Sequence, residues 1–206
     1  GDHVSRTITA MGVPSPHKQN VTDQQVMDAL IETSGRMSVD EAGVEVPADK
    51  TAREAMADMN YQAFSEATGE DLSSFATRSE VLDAILYSIF PNFAPWAGFN
   101  PNIVYRFRPN GDDPNTCIME VMMMMRFPKG EARPADVPVV ELRPEQPFTD
   151  AEELGSLGDV FEQDMSNLPF LQKGMKQSKK GKISLANYQE VRIRHLHQTL
   201  DQYINA

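Results

Sequence analysis

At 206 residues the chain is long enough for one domain with a real core and too short for two ordinary ones joined by a linker. Hydrophobic residues at 40% and charged residues at 24% lie near the globular average, which excludes a wholly disordered chain. The formal net charge of -11 argues against nucleic acid or an anionic membrane as partner, because phosphate would repel the chain at neutral pH.

No apolar run approaches the length of a membrane-spanning helix and no signal-like segment opens the chain, so a cytoplasmic location is expected. The single cysteine, Cys117, excludes an internal disulfide framework and any self-contained zinc or iron–sulfur site that needs two thiolates. Its expected role is that of a small buried strand residue.

In chain order, the alternating β-branched residues of 3–9 predict a strand, stopped by Pro14 and Pro16. A strand with no lead-in suggests a cut chain. Four helix starts carry a hydroxyl residue with Glu or Gln three positions later, the reciprocal capping pattern: Thr22 with Gln25, Thr51 with Glu54, Thr77 with Glu80, and Thr149 with Glu152. After Thr51 the stripe Ala52, Ala55, Met56, Met59, Ala63 predicts an amphipathic helix, and after Thr77 the stripe Leu82, Ile85, Leu86, Ile89 predicts another. Ser38–Lys50 and the proline-rich Pro128–Pro147 lack a stripe and read as exposed connections.

Residues 103–108 and 116–127 are two apolar strand-like runs, separated by the turn chemistry of Pro109-Asn110-Gly111-Asp112-Asp113-Pro114-Asn115, and predict an antiparallel hairpin. Met122–Met125 cannot converge on a metal, because neighbouring strand residues point to opposite faces, so core packing is expected for them. Lys173–Lys182 carries five lysines and reads as a solvated loop, with docking to an acidic partner as the alternative. Leu185–Ile204 predicts a long C-terminal helix with the stripe Ile193, Leu196, Leu200, Tyr203.

The helix predicted after Thr149 is the one that carries chemistry. Leu154, Leu157, Val160, Phe161 and Asp164 fall at spacings of three and four, so an acid continues an apolar stripe. A carboxylate there needs a metal or a counter-charge, because burying it alone is costly. On spacing alone Asp164 could equally close the helix or pair with an arginine such as Arg106. The stretch Phe90, Asn92, Phe93, Trp96 and Phe99 could line an apolar cavity or belong to an ordinary core.

The segment Phe161-Glu162-Gln163-Asp164-Met165-Ser166-Asn167-Leu168 resembles the iron-site helix of Rieske-type aromatic-ring-hydroxylating oxygenase α subunits. Further points of likeness are Leu171-Gln172-Lys173-Gly174-Met175-Lys176, Tyr188-Gln189-Glu190 with Ile193-Arg194-His195, Ile89-Phe90-Pro91-Asn92, and the hairpin from Tyr105 to Pro114. Together they cover roughly residues 80–204, with residues 1–20 as an extension.

The resemblance implies an α+β fold of the helix-grip type, an antiparallel sheet packed on a long C-terminal helix, with the sheet incomplete in this chain. It also implies a single domain over 1–206, the C-terminal part of the catalytic domain. The family's mononuclear non-haem Fe(II) is held by two histidines and a carboxylate, an open arrangement suited to O₂. Asp164 would be that carboxylate, and Leu154, Val160, Phe161, Phe90, Asn92 and Trp96 would line the substrate pocket. The family's histidine pair, separated by four residues on an upstream helix, has no match in His3, His17, His195 or His197. Its [2Fe–2S] cluster, in an N-terminal domain, needs two cysteines where this sequence has one.

The chain is therefore expected to be inactive alone, as an expression fragment or a natural truncation. Its parent would use NAD(P)H electrons, delivered by a reductase or ferredoxin, to hydroxylate an aromatic or other hydrophobic substrate. The family assembles as trimers, with or without a small β subunit. Two rivals stand beside this reading: a non-catalytic helix-grip module that holds a hydrophobic ligand, and a scaffolding fragment that associates through apolar helix faces.

Overall fold

The structure is a computed structural model that describes residues 2–33 and 43–206. The strands are β1 (Val4–Thr9), β2 (Ala84–Ile89), β3 (Phe93–Ala97), β4 (Ile103–Pro109) and β5 (Cys117–Met123), and the helices are α1 (Asp23–Thr33), α2 (Ala52–Thr68), α3 (Arg78–Leu82), α4 (Leu157–Met165), α5 (Leu168–Gln177) and α6 (Val191–Ile204). The five strands form one open antiparallel sheet in the order β1-β2-β3-β4-β5. With α6 at the C-terminus, this is the expected α+β architecture of helix-grip type.

Three of the four predicted caps form. Thr51 and Thr77 each accept from the backbone N–H three residues on, while Glu54 and Glu80 accept from the backbone and hydroxyl of their own threonine. Those donated bonds hold both carboxyls below their ordinary pKa. Thr22 and Gln25 make the same reciprocal pair ahead of α1. Thr149 makes no such cap: it lies inside a short 3-10 turn (Phe148–Asp150), a second follows at Glu152–Leu154, and α4 starts only at Leu157. Gly155, at φ +52°, breaks the chain direction between them.

The stripe predicted after Thr77 also resolves differently. α3 ends at Leu82, Asp83 caps it in an extended conformation, and Ile85, Leu86 and Ile89 fall on β2. A short apolar run is compatible with either period, and here pairing on both sides decides it: β2 meets β1 along its whole length and β3 at Ile85↔Ala97, Leu86↔Trp96 and Ile89↔Phe93. The β2–β3 ladder skips Tyr87 and Ser88, opposite Pro95 and Ala94, because Pro95 has no N–H to donate.

The predicted hairpin is present as β4 and β5, in continuous register from Ile103↔Met123 to Pro109↔Cys117. The second strand ends at Met123 instead of Phe127. Met119 and Met123 pack inward, whereas Met122 is half-buried on the opposite face of the sheet and Met124 and Met125, beyond the strand, are exposed, so of Met122–Met125 only Met123 packs in the core. Cys117 is exposed as well, contrary to expectation, because it opens β5 beside the turn, beyond the part of the sheet that α4 covers. Residues 128–147 form an irregular, largely exposed connection as predicted. Of the Ser38–Lys50 connection, residues up to 42 lie outside the described residues. The remainder is irregular and tied to α1 by Gln24, whose amide donates to Val44 O and accepts from Val46 N–H, both at 2.9 Å.

Two apolar cores result. The first joins α1, α2 and α3 around Met27, Met56, Leu72 and Val81. It is fastened to β1 and β2 through Asp83, which accepts both Arg53 terminal nitrogens at 2.6 and 2.8 Å, Ser79 Oγ at 2.6 Å and Met11 N–H at 2.9 Å. The second lies between α4 and the β3–β5 end of the sheet.

Candidate functional site

α4 is the element on which the sequence places an acid after an apolar stripe, and its seating defines the site. Leu157 and Phe161, one turn apart, are buried against Ile103, with Trp96, Tyr105, Met119, Val121, Met123, Phe148 and Leu154 packed around them. β4 alternates to make this possible. Ile103 and Tyr105 point toward α4, while Val104, Arg106 and Arg108 point to the opposite face with their cross-strand partners Met122, Glu120 and Ile118. Phe161 meets Tyr105 edge-on at 6.0 Å, a geometry preferred by ring quadrupoles, and lies tilted against Phe148 at 5.4 Å. Gly158 lets the helix approach the preceding turn, since a Cβ there would stand 3.1 Å from Thr149 Cα. Glu162 then locks that turn by accepting the Phe148 N–H.

Asp164 follows Phe161 by three residues, at the exposed end of α4 and outside the buried cluster. Arg106 is not its counter-charge: Arg106 and Arg108 grip the two oxygens of Glu120 on the far face of the sheet, and the Arg106 hydrogen bond, with Arg108 behind it, holds Glu120 below its ordinary pKa despite an opposing desolvation. Among the described residues no three His, Cys, Asp or Glu side chains gather as a metal site. Asp164 stands apart from any such group, and the described residues do not by themselves form a metal site.

Of the residues expected to line the pocket, the structure brings Leu154, Phe161 and Trp96 together in the second core. Val160 is half-buried on α4. Phe90 goes elsewhere. It stacks on Tyr203 of α6 at 5.1 Å and meets His3 at 5.9 Å, while His3 Nε2 and the Tyr203 hydroxyl are 2.8 Å apart. Asn92 sits in the β2–β3 turn, its carbonyl accepting from Phe107 N–H at 3.0 Å. Phe93 is 38% exposed, and Phe99 joins the first core.

The stretch read as a lysine-rich loop begins as helix: Lys173 and Lys176 lie on α5, whose Leu168, Phe170, Leu171 and Met175 are all exposed. Pro169 in its first turn was the available signal, since proline is favoured there. α6 begins at Val191 instead of Leu185, and its stripe of Ile193, Leu196, Leu200 and Tyr203 is 40–60% exposed. No helix among the described residues is long and apolar enough to cross a membrane.

No curated protein and no solved structure gives a significant match to the chain. The family described as "Ring hydroxylating alpha subunit (catalytic domain)" matches residues 12–206, which takes in both cores and every strand but β1. On that match the chain belongs to the catalytic-domain family of ring-hydroxylating oxygenase α subunits.

Proposed function

We propose that this chain is the carboxylate-bearing, substrate-facing part of an oxygenase that inserts oxygen from O₂ into an aromatic or other hydrophobic substrate. The observation that carries this is the position of Asp164, three residues beyond the buried Phe161 on the helix that the sheet holds in place, within a chain of the ring-hydroxylating family. Asp164 would give one ligand to a mononuclear Fe(II) whose two histidines come from outside the described residues. When bound, that iron supplies activation of O₂. The chain's own contribution is positional. Leu157 and Phe161 fix the rotation of α4, Gly158 and Glu162 fix its approach, and together they set where the Asp164 carboxylate stands.

Leu154, Val160, Phe161 and Trp96 form the apolar side of the substrate pocket in this reading, with Phe90 and Asn92 at a separate place on the β2–β3 turn. Electrons would arrive from NAD(P)H through a reductase or ferredoxin and a [2Fe–2S] cluster borne elsewhere in the parent, which would work as an oligomer. The test is oxygen incorporation, with isotopically labelled dioxygen and an aromatic probe, by a longer version of the chain that carries the upstream histidine pair. Label is expected in the ring product, and Asp164→Ala is expected to remove it without changing the far-UV spectrum. Undiminished labelling by the variant would contradict the role given to Asp164.

A further inference from the structure

Charge is not spread evenly along the chain. Residues 165–189 hold five lysines and no acid, so their formal charge is +5 inside a total of -11. The total argues against an anionic surface, but contact is made by a patch, and exposed charges more than about 8–10 Å away are largely screened by salt. The same stretch leaves apolar side chains uncovered. No residue of α5 is buried: Phe170 is 74% and Leu171 59% exposed, and Leu168, Met175 and, on the returning segment, Ile183 are exposed as well. Phe170, Leu171, Met175 and Ile183 line a groove of about 750 Å³, with Lys182 beside them.

None of the five lysines makes a salt bridge among the described residues. Lys176 donates to the Asn115 side chain, beside Asp113 in the β4–β5 turn, and Lys180 donates to Ser184 Oγ. Two partners of negative charge could meet such a surface, an acidic protein and an anionic lipid bilayer. The kind of cation favours lipid. All five are lysine and none is arginine, whereas the chain's own carboxylates are met mostly by arginine, as at Arg53 and Asp83. The planar arginine fork suits a carboxylate, while a lysine stem lies along apolar surface and keeps its amine in water, as at a lipid interface. A cluster of roughly four to eight such cations on an amphipathic helix is the pattern that anionic headgroups attract.

We propose that α5 and its return as far as Ile183 form a docking surface for an anionic lipid bilayer. Phe170, Leu171, Met175 and Ile183 enter the boundary between headgroups and acyl chains, and the lysines meet headgroup phosphates. Neither core contains a residue of α5, so docking uncovers no buried surface. Lipid docking of this kind does not depend on the oxygenase reading.

The test is sedimentation of the 206-residue chain with sucrose-loaded phosphatidylcholine vesicles, with and without phosphatidylserine, at low and high salt, against a vesicle-free blank that accounts for self-association. Phosphatidylserine is expected to tighten binding at least about tenfold, and high salt to remove that gain. Lys179→Gln with Lys180→Gln is expected to weaken binding to the phosphatidylserine vesicles about twentyfold, at roughly fivefold for each lysine near the surface. Phe170→Ser with Leu171→Ser is expected to weaken it at least about tenfold and to leave the far-UV spectrum unchanged, because both side chains are exposed in the folded chain.

Binding that ignores phosphatidylserine, or that survives either double substitution, would overturn the proposal. Absence of vesicle binding at low salt would overturn it too. Polyglutamate bound in place of vesicles would then assign the surface to an acidic protein. A loss of concentration-dependent mass with Phe170→Ser and Leu171→Ser, again without vesicle binding, would assign it to a second copy of the chain.

Discussion

Asp83 shows how much of a fold can hang on one carboxylate. Its side chain is 4% exposed and accepts from Arg53, Ser79 and the Met11 amide, so α2, α3 and the segment after β1 are joined at one point. Desolvation is the largest influence and opposes ionisation, but the hydrogen bonds from Arg53, Ser79 and Met11 together outweigh it and hold the carboxyl below its ordinary pKa. A depressed folded-state pKa contributes stability in full above the unfolded value of about 3.9, and that contribution is lost as pH falls through the folded value.

Chemical denaturation at neutral pH is expected to show Asp83→Ala destabilised by about 3–5 kcal/mol, the range for breaking a buried pair. Arg53 keeps 24% exposure, which places the loss toward the lower end. Below about pH 4 the gap between wild type and variant is expected to narrow. A gap independent of pH would contradict the assignment. The joint was not legible in the sequence, because Ser79 is its only local partner while Arg53 and Met11 lie 30 and 72 residues away. Asp164 was visible by contrast, as an acid in an apolar stripe, but that spacing alone could not separate ligand from helix end.

At the scale of elements, what the sequence made legible was local chemistry. The β4–β5 turn, with Asn110-Gly111 and two prolines, specified its hairpin, and the Thr–Glu pairs specified α2 and α3. What misled was period without context. Ile85, Leu86 and Ile89 fit a helix as well as a strand until β1 and β3 claim them, and β1 is about eighty residues distant in sequence. Thr149 carries the capping pattern, but Gly155 and two 3-10 turns intervene before α4.

The two capping patterns therefore predict opposite outcomes. Thr51→Ala removes a formed cap and is expected to cost about 1 kcal/mol in denaturant melts, whereas Thr149→Ala is expected to stay within about 0.5 kcal/mol of wild type. Equal losses would mean that a helix begins at Thr149 after all. Phe161→Ala, in the second core, is expected to cost about 3–5 kcal/mol by leaving a cavity under α4. A melt within about 1 kcal/mol of wild type would show that α4 is not seated on the sheet as described.

At the scale of the whole molecule, the sheet carries a helix on one side of β3–β5 and presents Arg6, Arg106, Arg108 and Glu120 with apolar Val4, Ile8, Phe93 and Ile118 on the other. β1 and β5 are its edges, and the stripes of α5 and α6 are exposed. Open edges and uncovered apolar stripes favour association or strand exchange. Light scattering is expected to show a mass that rises with concentration, and a monodisperse monomer across the range would contradict this.

The central claim concerns Asp164, and anaerobic Fe(II) titration tests it most directly. The 206-residue chain and a longer version with the upstream histidine pair are compared, each with and without Asp164→Ala. Stoichiometric, tight iron in the longer version alone, lost with Asp164→Ala, is the predicted result. Iron bound equally well by the Asp164→Ala variant, or by neither version, would contradict the ligand assignment and leave α4 as the wall of a pocket that only binds.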